Sequence, residues 1–444
     1  MATQSPPEPP ATGGGGGSSS SSAGTVVFFH PDLGIGGAER LVVDAAVGLK
    51  QRGHRVVIFT NHCDPSHCFD EHPRRPRPRR LARPPTILSR LSILCAILRH
   101  LHLLLHITLL TTELASLRPR AVVVDQLSAG LPLVRYVLDR GVPVLFYCHF
   151  PDLLLARGRD ASLLKRLYRV PFDAIEQWTM AFAHAVAVNS EFTRSVVNKT
   201  WPRLGSQVPI KVVYPCVDVD AAAREDAEVK ASAGRGKELL GGDRIILSIN
   251  RFERKKDIGL AIKAFAAIPV ADRKNVRLVL AGGYDPRVSE NVEYHTELEA
   301  LASSLSLAHH TITPPSKSSP APPSSAPPPS SSTPPSNEHF GIVPLEAMLA
   351  RVPVLAANTG GPVETVSDPA TGWLRDPDNS AAWSAEGARR VRERFGRDKM
   401  AQSLDDILGE IRAANPRPPF INYIINLVLL VVFFYLGLLL ASNV

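Results

Sequence analysis

The stretch Ser-Asn-Glu-His-Phe-Gly-Ile-Val-Pro-Leu-Glu-Ala-Met, residues 336–348, holds two carboxylates, Glu338 and Glu346. Pro344 predicts a helix start, because proline is tolerated in a first turn, where its missing N–H would have no partner. Gly341 lets the backbone approach a ligand closely, since it has no Cβ. Carboxylates that bind hydroxyls and helix-end amides that bind phosphate suit a sugar nucleotide. The alternative is a capped surface helix with two solvated acids.

Length and composition narrow the class of protein. A chain of 444 residues is too long for one ordinary core, so we expect two domains. A net charge of +8 gives a basic surface that could meet nucleic acid, anionic lipid or phosphorylated substrates. The five cysteines are scattered, which favours a reducing compartment over a disulfide framework.

A glycine-rich turn follows the first predicted strand, residues 25–29, and leads into a helix. Gly34, Gly36 and Gly37 lie in this turn, where they would bring backbone N–H groups to a helix N-terminus. The pattern lacks the full dinucleotide spacing. The alternative is a tight turn in which Gly37 packs the helix on the strand.

Two further predicted strands, residues 121–124 and 143–147, end in polar residues. Asp125 follows the first strand and His149 follows the second. Ligands bind at the carboxyl ends of parallel strands in open α/β sheets, so His149 is predicted where a reacting group could lie. The alternative is a structural histidine.

A cationic loop follows the predicted strand at residues 244–249. Arg251 and Lys256 could clamp a diphosphate there, arginine as a fork and lysine as a point charge. No acid would then be needed for the diphosphate to depart. The alternative is a solvated basic loop.

Two stretches predict contact with a membrane. Residues 87–110 are mostly Leu and Ile, interrupted by arginines and histidines. They predict an amphipathic helix in the membrane interface, with a buried core helix as the alternative. Residues 420–440 carry no charge and are long enough to cross a bilayer. Arg412 and Arg417 precede them and place the body of the chain in the cytosol.

Metal and nucleic-acid partners are not expected. The spacing of His62, Cys63, His67 and Cys68 fits no common closed zinc site. The arginine-rich residues 72–85 lack aromatic partners for stacking bases.

Five ordered strings together resemble the retaining GT-B glycosyltransferases of family four. The closer resemblance is to the dolichol-pathway mannosyltransferases that add α-1,3 and then α-1,6 mannose. The strings are His-Pro-Asp-Leu-Gly-Ile-Gly-Gly-Ala-Glu-Arg-Leu at 30–41, Phe-Tyr-Cys-His-Phe-Pro-Asp-Leu-Leu-Leu at 146–155, Leu-Ser-Ile-Asn-Arg-Phe-Glu-Arg-Lys-Lys at 247–256, Ala-Gly-Gly-Tyr-Asp at 281–285 and the opening stretch at 336–348.

This resemblance implies a GT-B fold, in which two α/β Rossmann-like domains face a cleft. The apolar C-terminal stretch adds a transmembrane helix to this architecture. The expected segments are a disordered tail at 1–24, an acceptor domain at 25–220 with a membrane-associated segment at 86–113, a linker at 221–243, a donor domain at 244–415 with a disordered Pro/Ser segment at 303–336, and a transmembrane helix at 418–441.

The resemblance also implies an activity and its partners. The enzyme would transfer mannose from GDP-mannose, with retention and without a bound metal, to a lipid-linked oligosaccharide acceptor. It would lie on the cytosolic face of the endoplasmic reticulum membrane, with other early dolichol-pathway glycosyltransferases as possible partners. By the same resemblance His149 and Glu338 are catalytic, Gly34, Gly36 and Gly37 form a phosphate or acceptor loop, and the donor is bound by Arg251, Lys256, Glu346, Gly341, Gly360 and Gly361.

The Pro/Ser-rich residues 303–336 depart from the family, which has a strand, a helix and another strand there. Because proline cannot donate to a sheet ladder, we expect no strands in this segment. We hypothesise a local shift of reading frame or a misassigned exon. Two alternatives to the mannosyltransferase follow: a related enzyme that uses another nucleotide sugar, and an inactive membrane-bound pseudoenzyme.

Overall fold

Two parallel β-sheets organise the chain in this computed structural model. The first has seven strands and the second has five, which confirms the predicted α/β architecture. The structure describes residues 23–34, 36–63, 77–78, 92–151, 154, 175–219, 244–271, 273–286, 288–307, 311–312, 330–333, 338–356, 360–367, 370–372, 394 and 396–414.

The first sheet is built from apolar runs that are buried on both faces, as expected for parallel strands covered by helices. Val26, Val27, Phe28 and Phe29 in its first strand are each at most 1% exposed. The strand order is β3-β2-β1-β4-β5-β6-β7. The strands are β1 (Thr25–Leu33), β2 (Arg55–Cys63), β3 (Arg77–Pro78), β4 (Pro119–Asp125), β5 (Val144–Cys148), β6 (Ala185–Val188) and β7 (Ile210–Val212).

Helices cover both faces of this sheet. One face packs against the first helix and the other against the second, so two apolar cores flank the strands. The helices of this half are α1 (Gly37–Gln51), α2 (Ser92–Leu105), α3 (Glu113–Ser116), α4 (Leu131–Val137), α5 (Glu191–Thr200) and α6 (Leu204–Gln207).

The second sheet has the strand order β10-β9-β8-β11-β12. Its strands are β8 (Arg244–Ile249), β9 (Val276–Ala281), β10 (Thr311–Ile312), β11 (Ser330–Thr333) and β12 (Val354–Ala356). The remaining helices are α7 (Ile258–Ala267), α8 (Ser289–Ser304), α9 (Ile342–Leu349), α10 (Pro362–Thr365) and α11 (Arg397–Ala414).

The expectation that residues 303–336 contain no strand is wrong. β11 pairs in parallel with both β8 and β12, and β10 pairs with β9 at the sheet edge. Leu307 is also fully buried after α8. The reason is that ladder hydrogen bonds come from the backbone, and the Ser-Ser-Ser-Thr run of β11 contains no proline to interrupt them.

The helix α11 does not pack where the predicted domain boundaries place it. Residues 244–415 are expected to form one domain, but Met400, Leu404 and Ile411 join the core of the first sheet against α1. An amphipathic helix buries its apolar stripe against whichever partner the fold supplies, so the sequence pattern does not identify that partner.

The membrane-associated segment lies partly within the described residues. α2 continues into a π-helical turn, His106–Leu110, and Leu103 and Ile107 have no exposed surface. Arg99 donates to the Asp32 carboxylate at 2.8 Å rather than facing outward. The helix face that carries Leu103 and Ile107 is therefore buried, as the alternative of a core helix expects. Membrane association of residues 86–113 stays a prediction.

Several other predictions fall on residues outside the described ranges. They include residues 1–22 of the tail, the linker at 221–243 and the transmembrane helix at 418–441. Within the described residues, no helix combines the length and apolar character needed to span a bilayer.

Candidate active site

A cleft of about 640 Å³ lies where the carboxyl ends of strands from both sheets meet. It brings together residues that the sequence analysis selected from separate motifs. The first sheet contributes His149 after β5 and Gly37 at the start of α1. The half of the chain that holds the second sheet contributes Arg251, Lys256, Glu338 and Gly341.

The Arg251 loop is held against the turn that follows β9. The backbone N–H of Asn250 donates to the Ala281 carbonyl at 2.8 Å, and the backbone N–H of Phe252 donates to the Gly283 carbonyl at 3.1 Å. Gly282 has φ +142°, and a Cβ there would lie 2.1 Å from the Asn250 carbonyl oxygen. Only glycine permits this approach, so the turn fixes where the Arg251 side chain enters the cleft.

Lys256 and Glu338 form an ion pair inside the cleft, between the Nζ and Oε2 atoms. Lys256 belongs to a short 3-10 turn, Arg254–Lys256, and Glu338 lies in the loop before α9. The two side chains are 20% and 21% exposed, so water screens the pair only partly. A cation that can bind phosphate is thus held beside a carboxylate that can bind a sugar hydroxyl.

Gly360 and Gly361 pack against the Glu338 loop, and the contact of Gly361 uses the amide that was expected to face a donor. The Gly361 amide donates to the Glu338 backbone oxygen at 2.8 Å. Gly360 has φ +77°, and a Cβ there would lie 2.4 Å from the same oxygen. Close backbone packing therefore explains this pair of glycines.

Glu346 does not line the cleft together with Glu338. It lies in the second turn of α9, and the residue is exposed. Desolvation by the neighbouring protein raises the pKa of the Glu346 carboxyl, while the charge of Arg40 acts in the opposite direction. The structure thus places the second carboxylate near α1 of the first domain.

The glycine turn before α1 reaches the cleft only in part. Gly37 lines it, as does the following Ala38. Gly36 is the N-cap residue of α1 in an extended conformation, and neither Gly36 nor Gly34 is part of the lining.

His149 belongs to a buried network that the sequence analysis did not assign. Its Nε2 lies 2.8 Å from Asp125 Oδ1, and Asp125 Oδ2 lies 2.6 Å from His30 Nδ1. Burial by itself would raise the pKa of Asp125, but the two histidines lower it to about 2. Burial lowers the pKa of His30, but Asp125 outweighs this effect and the net shift is upward.

A charged carboxylate is therefore shared by two imidazoles near the carboxyl ends of the central strands of the first sheet. The signal that could have found it was the position of His30 and Asp125 at the ends of adjacent strands. Strand order, however, is not readable from a single sequence.

The two halves also contact each other beside the cleft. The Phe150 and His339 rings stack at 3.8 Å between centroids, and Ser190 Oγ donates to the His339 carbonyl at 2.6 Å. Burial lowers the pKa of His339 to about 4, and Lys256 acts in the same direction while Glu338 opposes it. His339 is therefore neutral at pH 7, which suits an aromatic stacking partner.

Glu364 forms a second contact between the halves. Its carboxylate accepts hydrogen bonds from the Glu191 and Phe192 amides at 2.8 and 2.7 Å, at the N-terminus of α5. The Tyr214 hydroxyl donates to it at 3.1 Å. Glu364 thus caps a helix of the other half, where an anion is favoured.

Across the described part of the chain, no cluster of three or more His, Cys, Asp or Glu side chains could hold a metal ion. His62 and Cys63 end β2, whereas His67 and Cys68 lie outside the described residues.

Comparison with known proteins identifies the class. The family described as glycosyl transferases group 1 matches residues 233–403, and glycosyltransferase family 4 matches residues 35–221. Among solved structures, sucrose-phosphate synthase from Thermosynechococcus elongatus aligns with a TM-score of 0.65 at 19% identity, over 88% of this chain and 100% of that one. A glycosyltransferase from Rickettsia africae aligns with a TM-score of 0.60 at 14% identity, over 88% of this chain and 99% of that one. The chain is a glycosyltransferase with the GT-B fold.

Similarity to curated proteins identifies the family within this class. The alpha-1,3/1,6-mannosyltransferase of Neurospora crassa is 49% identical over 86% of this chain and 90% of its own length. The alpha-1,3/1,6-mannosyltransferase of Saccharomyces cerevisiae is 40% identical over 86% of this chain and 84% of its own length. The chain belongs to this alpha-1,3/1,6-mannosyltransferase family, which confirms the predicted resemblance.

Proposed function

We infer that this enzyme transfers mannose from GDP-mannose to a lipid-linked acceptor, first in α-1,3 and then in α-1,6 linkage, with retention of configuration. One observation carries the proposal. A single cleft holds cations and a carboxylate from the second sheet, Arg251, Lys256 and Glu338, with His149 from the first sheet in the same lining. The names of the curated relatives support the sugar and the linkages.

The cleft residues have separate roles in this proposal. Arg251 and Lys256 bind the donor diphosphate and stabilise the charge that develops as it leaves. Glu338 orients a hydroxyl of the donor sugar. Glu346 lies outside the cleft lining, and its proposed role is to bind the nucleotide ribose beyond that lining. His149 contacts a sugar hydroxyl, and no metal takes part.

The transfer then proceeds on one face of the sugar. The bond between the anomeric carbon and the phosphate oxygen breaks, and a bond from that carbon to the acceptor hydroxyl oxygen forms on the same face. The leaving phosphate takes the acceptor proton. This route needs no protein nucleophile.

We place the enzyme on the cytosolic face of the endoplasmic reticulum membrane. Residues 418–441 would form its transmembrane anchor, since this stretch is apolar and without charge while Arg412 and Arg417 precede it. The acceptor is a lipid-linked oligosaccharide, and other early dolichol-pathway glycosyltransferases are the proposed partners.

The test uses the purified full chain in detergent with a synthetic mannosyl-chitobiosyl diphosphate lipid. GDP-mannose, GDP-glucose, UDP-glucose and UDP-N-acetylglucosamine are compared as donors, each with and without EDTA. We expect transfer from GDP-mannose alone, no effect of EDTA, and a product that an α-specific mannosidase removes. Transfer from a UDP-sugar would favour the related-enzyme alternative. Nucleotide binding without any transfer would favour the pseudoenzyme.

A further inference from the structure

Asp125 joins two histidines from neighbouring strands and is inaccessible to solvent. Its carboxylate and the His30 side chain are each 0% exposed, while the His149 side chain keeps 21% exposure and lines the cleft. The three side chains therefore form a line from the sheet interior to the cleft.

The geometry fixes which nitrogen of each ring carries a proton. An ionised carboxylate only accepts hydrogen bonds, so both nearby ring nitrogens must donate to it. These are His30 Nδ1, at 2.6 Å, and His149 Nε2, at 2.8 Å. A neutral His149 with its proton on Nε2 then has Nδ1 as a hydrogen-bond acceptor.

The other ring nitrogen of His149 remains available for a ligand. Among the residues that the structure describes, His149 makes its hydrogen bond only through Nε2, to Asp125. Tyr147 packs at 4.9 Å between ring centroids, and its hydroxyl donates to the Val213 carbonyl at 2.7 Å. Tyr147 therefore supports the imidazole by packing and leaves its nitrogens to other partners.

His30 supplies a second hydrogen bond to the buried carboxylate. A buried ion needs a partner, because removing a carboxylate from water costs several kcal/mol. His30 lies on the side of Asp125 away from the cleft, and its Nδ1–H donates a hydrogen bond to the carboxylate that favours the ionised form.

We propose that Asp125 is a positioning residue which, hydrogen-bonded on its other side by His30, holds His149 in its Nε2–H tautomer and presents Nδ1 as an acceptor for a substrate sugar hydroxyl. The proposal deepens the proposed function and depends on it for the rate measurements only. Asp125 does not touch substrate and acts through His149.

The first test reads the tautomer directly, without substrate. The full chain is labelled with ¹⁵N-histidine, and the His149 signals are assigned by their loss in His149→Gln. We expect the wild type to show a protonated Nε2 and an unprotonated Nδ1. In Asp125→Asn the amide NH₂ competes for the same position, so the tautomer population should change. An Nδ1–H tautomer in the wild type overturns the proposal.

The second test is a double-mutant cycle on the transfer rate. Asp125→Asn should lower kcat by roughly tenfold to a hundredfold, as for residues that orient a reacting side chain, with KM for GDP-mannose within about twofold. In a His149→Ala background, Asp125→Asn should lower kcat no further. Additive losses would mean that Asp125 acts independently of His149 and would contradict the proposal. Asp139→Asn, at an exposed site of the same half, is the matched control.

A second pair of variants covers the case in which Asp125→Asn fails to fold. His30→Asn places an amide donor near the position of Nδ1, whereas His30→Leu does not. We expect His30→Asn to retain more of kcat than His30→Leu, and equal losses would contradict the proposal. If the wild type transfers no mannose, the proposed function fails while the tautomer measurement still decides the inference.

Discussion

Lys256 and Glu338 are 82 positions apart in the chain, yet the Lys256 ammonium forms an ion pair with the Glu338 carboxylate in the cleft. Both residues have proposed roles toward the donor, the lysine for the diphosphate and the glutamate for the sugar. A diphosphate that binds Lys256 must therefore compete with Glu338 for the same ammonium group.

This competition predicts opposite effects of one substitution on binding and on catalysis. Glu338→Gln should bind GDP about three- to tenfold more tightly, because the competing charge is gone, a change of roughly 0.7–1.4 kcal/mol. The same variant should transfer mannose more slowly, because the carboxylate that orients the sugar is lost. Calorimetric titration with GDP and initial rates with GDP-mannose measure the two effects.

Glu299→Gln is the control for the Glu338 variant, because Glu299 is an exposed acid on α8, outside the cleft lining. It should leave both GDP affinity and rate unchanged. Weaker GDP binding by Glu338→Gln would show that the carboxylate does not compete for Lys256.

Gly282→Ala should disrupt the Arg251 loop. The φ of +142° and the 2.1 Å approach to the Asn250 oxygen leave no room for a Cβ. We expect a loss of roughly 1–3 kcal/mol in unfolding free energy and a raised KM for GDP-mannose. Thermal unfolding and steady-state kinetics measure these changes.

Gly409→Ala is the matched control for that substitution. Gly409 lies inside α11 with nothing within 4 Å of its added Cβ. Alanine there should raise stability by up to about 1 kcal/mol, since it favours the helix. If both variants were destabilised equally, the claim that position 282 specifically requires glycine would be contradicted.

Glu364→Ala should weaken the contact between the halves. It removes the acceptor for two α5 amides and for the Tyr214 hydroxyl. Loss of a capping acceptor costs about 1 kcal/mol, so the unfolding midpoint should fall. Glu410→Ala, in the exposed pair with Lys211, should cost at most a few tenths of that amount. Equal midpoints for the two variants would contradict the capping role.

Acid should destabilise the fold through His184. The Val144 amide donates to His184 Nδ1 at 2.8 Å, which requires that nitrogen to be unprotonated. Burial lowers the pKa of His184 from 6.5 to about 4, and the charge of Arg135 acts in the same direction. The unfolded chain therefore binds more protons than the native one in this window, and stability is lost as the pH falls from 6.5 toward 4.

Thermal midpoints measured across that pH range test this prediction. His184→Gln removes the titrating group and should flatten the pH dependence, whereas His62→Gln, at an exposed site on β2, should not. The prediction fails if the wild type and His184→Gln have parallel pH profiles.

The sequence predicts local elements well where the chain itself encodes them. β8 begins and ends at the predicted residues, because it is a short β-rich apolar run between polar and glycine-containing neighbours. The loops after β5 and β8 also carry the site residues expected of them. At strand ends, a single sequence therefore predicts both where a site residue lies and which chemistry it can carry out.

Features that depend on long-range pairing are not predictable in this way. β11 is a serine-rich strand whose place between β8 and β12 is set by backbone pairing, so no apolar period marks it. The contact between His30 and Asp125 joins residues 95 positions apart on adjacent strands. Each requires the strand order, which a sequence without its fold does not provide.

The catalytic efficiency of Lys256→Ala with GDP-mannose tests the central claim most directly, with Lys263→Ala, at an exposed position on α7, as the matched control. Loss of a charge-assisted contact to the diphosphate costs roughly 1.5–3 kcal/mol, so kcat/KM should fall about tenfold to a hundredfold or more in Lys256→Ala. The control should match the wild type. If Lys256→Ala retains wild-type kcat/KM, the cleft does not bind the donor diphosphate as proposed.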